Sequence, residues 1–123
     1  MPVRIWSHLC DYVIVGADNR VSIIGEADVL WITTLPAVQP LLFVVTKWGT
    51  VPGESFRHKV SLIDPRGAEV MNGGESICRA ERDSHTTVTR FAGIPILLEG
   101  EFCFDEIVDG LTVHTIPLQA RYK

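Results

Sequence analysis

Apolar and polar residues alternate with a period of two along much of this chain, and that period belongs to strands. From Glu54 to Ile63, Phe56, His58, Val60 and Leu62 fall on one face; Arg57, Lys59 and Ser61 fall on the other. This predicts a half-buried strand with one wet face. Leu41 to Trp48 is apolar on both faces for part of its length, which suits a central strand. Trp6–Val15 and Arg20–Gly25 flank the polar turn Gly16-Ala17-Asp18-Asn19 and predict a hairpin. Ala27 to Leu35 reads as a strand or as a loop crossing an edge, stopping at Pro36.

Turn chemistry punctuates the rest. In Asp64-Pro65-Arg66-Gly67, Asp starts the turn, Pro presets φ and Gly takes φ > 0. Ala68–Met71 is a short return strand, broken by Asn72-Gly73-Gly74. Ser76 to Arg82 could wind into a helical turn or two, within a polar stretch from Glu75 to Ser84. Thr86–Phe91 is β-branched, and Gly93 and Pro95 interrupt it. Glu101–Val108 and Leu111–Ile116 flank Asp109-Gly110, the dipeptide of a two-residue type I′ hairpin. That register sets Val108 opposite Leu111, Glu106 opposite Val113 and Phe104 opposite Thr115, on an inward face. It leaves Cys103, Asp105 and Ile107 outward with Thr112, His114 and Ile116.

Seven to nine short strands at this spacing predict an all-β fold: an antiparallel β-sandwich, Ig-like or jelly-roll-like, with room for one short helix. Residues 1–123 form one domain, without repeats or linkers. At 46% hydrophobic and 21% charged, the chain has material for one core and no signature of disorder. The formal charge of −4 and the scattering of Lys and Arg argue against a general nucleic-acid binder. The longest apolar run, Leu41–Val45, is far short of the ~20 residues of a membrane helix. The start shows no signal peptide. Three cysteines, Cys10, Cys78 and Cys103, make no disulfide framework, so the expected location is the cytoplasm.

A set of short motifs carries a resemblance. They are Leu9-Cys10-Asp11-Tyr12, Val21-Ser22-Ile23-Ile24-Gly25, Gly53-Glu54, Asp64-Pro65-Arg66-Gly67, Gly100-Glu101-Phe102 with Val108-Asp109-Gly110, and Pro117-Leu118. Their order resembles a family of small bacterial proteins of unknown function, DUF6941. The resemblance implies a small β-sandwich-like domain across nearly the whole chain, and carries over no activity or site residue.

Candidate chemistry is sparse. The sequence has no phosphate-binding loop, nucleophile elbow or Cys-x-x-Cys, and no cofactor is expected. His8 and Cys10 share a strand face and could supply two metal ligands, with no obvious third. The Asp residues sit mostly in turns, with no Asp-x-Asp pair for calcium. The hairpin register places Asp105 opposite His114, where a carboxylate would orient an imidazole for acid–base work, with Cys103 the nearest nucleophile. The competing reading is a cross-strand pair on a wet face. Trp6, Trp31 and Trp48 are core residues by default, and one left exposed would mark a contact surface. The leading functional reading is a non-enzymatic binding or assembly module acting through a sheet face or edge. Its candidate contacts are Trp31, Trp48, Ile107 and Ile116, and its partner is another protein or a second copy. The alternatives are a small hydrolase-like enzyme built on Asp105, His114 and Cys103, and a small-ligand or carbohydrate binder using a loop aromatic such as Trp48. No nucleic-acid or membrane partner is expected.

Overall fold

The computed structural model describes residues 1–18 and 20–123. The described residues form ten strands: β1 (Val3–Val15), β2 (Val21–Glu26), β3 (Val29–Ile32), β4 (Ala37–Gly49), β5 (Ser55–Ile63), β6 (Glu69–Asn72), β7 (Ser76–Arg79), β8 (Ser84–Ile96), β9 (Gly100–Val108) and β10 (Leu111–Tyr122). They build two sheets. One has the order β2-β1-β4-β8; the other runs β3-β10-β9-β5-β6, with β7 also paired to β5. The sheets stack as a sandwich whose core includes Leu42, Val44, Leu62, Phe91, Phe102 and Phe104. Phe91 and Phe104 meet edge to face across it, 5.1 Å between ring centres. A smaller cluster of Trp48, Phe56, Cys78 and Val108 closes one end. No helix among the described residues is long and apolar enough to cross a membrane.

The sandwich agrees with the strand periodicity, and several details differ. In place of the helical turn expected at 76–82, Ser76–Arg79 is a strand and 80–82 a loop: β7 pairs antiparallel with β5, Phe56 opposite Cys78, and this pairing turns Cys78 inward. Thr86–Phe91 continues through Gly93 and Pro95 to Ile96. β8 is an edge strand, so a missing Pro N–H costs no ladder bond on its open side. Pro40 is tolerated within β4 for a similar reason, because β1 pairs only with residues 43–49 of that strand. The second sheet is mixed rather than antiparallel throughout: β3 runs parallel to β10, Val29 to Ile32 alongside Gln119 to Tyr122.

The Asp109-Gly110 turn forms as its chemistry requires, with φ of 49° and 82°. The register beyond it slips. A bulge between Thr112 and His114 sets His114 opposite Glu106 and Thr115 opposite Asp105. One extra residue turns every later side chain of β10 to the other face.

The β1–β2 hairpin is an arm. β1 pairs with β4 through residues 3–10 and with β2 through residues 10–15. Trp6 and Val15 line one cleft, although nine residues of straight strand would separate them by ~30 Å. The arm therefore bends back over the outer face of its own sheet. Gly25 marks the bend, with φ of +71° and the Asp11 carboxylate where a Cβ would stand, 2.5 Å away.

Candidate functional site

The bulge in β10 dismantles the predicted Asp105–His114 pair. Thr115 Oγ1 donates to Asp105 Oδ1 at 2.9 Å on the outer face. His114 shares the inner face with Glu106. Burial and then the positive charge of Arg4 lower the His114 pKa, against an opposing pull from Glu106. Cys103 stays half-buried beside Asp105 on the outer face. Burial, then the charges of Glu101 and Asp105, push its thiol up, away from the thiolate a nucleophile needs. The three residues do not converge.

His8 and Cys10 are each engaged by other groups. His8 Nδ1 is taken up by Glu26 Oε1, and Cys10 is fully buried with its Sγ 3.8 Å from the carbonyl of Phe43. No group of three ligating side chains occurs among the described residues.

The contact candidates divide. Trp48 is 1% exposed, and its Nε1 donates to Thr87 Oγ1 at 3.0 Å, so it is core and not a loop platform. Ile116 follows the bulge inward and packs on the main core, while Ile107 stays half-buried on the outer side. Trp31 is 62% exposed on β3. It lines a cleft of about 460 Å³ with Leu30, Pro36, Val38 and Ile96, and Val38 is itself 64% exposed.

The structure also assembles a polar group between the sheets. Glu106 of β9 is fully buried. Ser7 Oγ of β1 donates to its Oε2 at 2.7 Å, and Thr46 Oγ1 of β4 donates to its Oε1. Thr46 Oγ1 also lies 3.0 Å from Ser7 Oγ. One hydroxyl proton serves one acceptor, and the carboxylate is the stronger. His58 Nε2 of β5 stands 3.7 Å from Glu106 Oε1 and has no hydrogen-bond partner. That is too far for a hydrogen bond. Burial pushes the Glu106 carboxyl up, but His58, Thr46 and Ser7 together hold it below the usual glutamate value.

His58 also lines a cleft of about 320 Å³ between β8 and the β6–β7 segment, with Cys78, His85 and Thr87. A buried carboxylate behind an imidazole is the skeleton of an acid–base pair. Burial raises the Cys78 thiol, which works against nucleophilic use. The sequence contained a signal for this group: His58 and Glu106 both fall on faces predicted to point inward. What it did not show was that β5 pairs with β9, Val60 opposite Glu106.

A third cleft, of about 580 Å³, lies beneath the bent arm, lined by Trp6 and Lys47 of the sheet and by Val15 and Val21 of the hairpin.

Two stacked sheets with a packed core, a bent edge hairpin and clefts at the sheet margins define a small β-sandwich domain. The chain belongs to DUF6941, a family of unknown function, whose family model matches residues 5–121. A comparison with curated proteins finds no match.

Proposed function

We propose that this chain is a non-enzymatic binding and assembly module acting through the open edge of β3, with a second copy of the chain as its partner. The observation that carries the reading is Trp31, 62% exposed on a strand whose outer side has no partner among the described residues. Exposed strand edges normally carry a charge, a proline or a cover that blocks pairing. Glu26 on β2, Arg90 and Pro95 on β8, Glu69 on β6 and Arg79 on β7 are such features on the other edge strands. β3, Val29-Leu30-Trp31-Ile32, has none. Most residues lining its neighbouring cleft are apolar, Val38 among them, although the surface they expose there is more polar than apolar. Pairing two β3 edges about a two-fold axis would continue the sheet across the interface and cover both tryptophans. The three cysteines are free thiols, which suits the reducing cytoplasm.

The test is the solution mass by light scattering over a wide concentration range. A dimer that Trp31→Ser converts to monomer, while Asp105→Ala leaves it intact, supports the reading. A wild-type chain that stays monomeric at the highest concentration, or a dimer indifferent to Trp31→Ser, refutes it.

A further inference from the structure

Three cations from distant parts of the chain meet in the cleft beneath the β1–β2 arm. They are Lys47 of β4, Arg79 at the end of β7 and Arg82 in the following loop. None has an ion-pair partner among the described residues. Arg20 also lines the cleft, but Asp18 neutralises it at 2.8 Å. Glu81 is the one other carboxylate in the lining. Three cations against one carboxylate leave +2, in a chain whose formal charge is −4. Gathering like charges in one concave space raises their energy, and a bound anion lowers it.

The rest of the wall is not that of a bare ion site. Trp6 is half-buried and stands directly opposite Lys47 in the ladder; Thr86 stands opposite Lys47 on its other side. The three therefore form one row on one face. Val15, Val21 and Val88 supply apolar surface. About 580 Å³ suits a small molecule.

We propose that this cleft binds a small phosphate ester. Arg79, Arg82 and Lys47 hold the phosphate, the guanidinium forks matching its oxygens in pairs. The organic part of the ligand packs against Trp6 and the valines. This site is separate from the β3 edge, and either can fail without the other.

The experiment is calorimetric titration of the full chain with phenyl phosphate, inorganic phosphate and benzoate at low salt. Phenyl phosphate saturates one site per chain and binds more tightly than inorganic phosphate, because its ring reaches Trp6. Benzoate binds more weakly than either. The double substitution Arg79→Ala with Arg82→Ala weakens phenyl phosphate by at least about tenfold, as loss of two charge-assisted contacts requires. Both arginines are exposed, so the thermal transition of that variant matches wild type. Added salt weakens binding in the wild-type chain. No saturable heat, undiminished binding by the double variant, or benzoate binding as well as phenyl phosphate overturns the proposal.

Discussion

Thr46→Val is the sharpest probe of the buried polar group. The substitution keeps the shape of a fully buried side chain and removes one proton donor from Glu106. Hydrogen bonds to charged groups contribute about 1.5–3 kcal/mol each, so the expected loss at neutral pH lies in that range. Unfolding entropy near the midpoint is about 2.1 cal/mol/K per residue, or about 260 cal/mol/K for 123 residues. One kcal/mol then shifts Tm by about 4 °C, and the variant should melt about 6–12 °C lower. The pH dependence has a definite sign. Glu106 titrates lower in the folded chain than the ~4.3 of an unfolded one. Its stabilisation is therefore full above that unfolded value and is lost as pH falls through the folded one. Below both values the carboxyl is neutral, and the Thr46 bond falls to the ordinary ~0.5–1.5 kcal/mol. Denaturant unfolding of both proteins at neutral and acid pH measures the difference. A cost below about 0.5 kcal/mol at neutral pH, or one that does not shrink in acid, would refute an ionised Glu106 held by Thr46.

Two further outcomes follow from the geometry. Gly25→Ala puts a Cβ 2.5 Å from Asp11 Oδ2 at a left-handed backbone position. It should cost at least about 1 kcal/mol by denaturant unfolding and speed amide hydrogen exchange in the β1–β2 arm ahead of the core. Cys103 should alkylate slowly at neutral pH, with a rate still climbing above about pH 8.5, since burial and two nearby carboxylates raise its thiol. Asp105→Ala should quicken that reaction and change stability by less than about 1 kcal/mol. Rapid labelling at neutral pH would contradict this account.

The sandwich was legible because its causes are local. Alternation around Phe56, Val60 and Leu62 marked the inner face of β5, and Asp109-Gly110 marked a type I′ turn that formed with both φ values positive. Asp64 likewise starts its turn as read, its Oδ1 accepting the N–H groups of Arg66 and Ala68. What escaped was non-local or a matter of one residue. The extra residue in β10 leaves no trace in composition, since Val113 suits either face, yet it moves His114 and Ile116 inward and dissolves the Asp105 pair. Trp31 and Trp48 both lie in apolar surroundings in sequence. Only the sheet order makes one an edge residue and the other core. Lys47, Arg79 and Arg82 look scattered along the chain and line one cleft only in the fold, where the loop after β7 bonds to the loop after β4.

The parallel pairing of β3 with β10 bears on when the β3 edge takes its final form. β3 has a single strand partner, supplied by residues 119–122, ninety positions further along. Closing so long a loop is slow, and domains gather their early segments while later ones are still being synthesised. The nascent chain can build the β1–β2 arm and align β4 against β1 long before β3 has anything to pair with. The edge bearing Trp31 is therefore not set in its final form until the last strand docks. Under the assembly proposed above, two chains could pair through this edge only after each has completed its own sandwich.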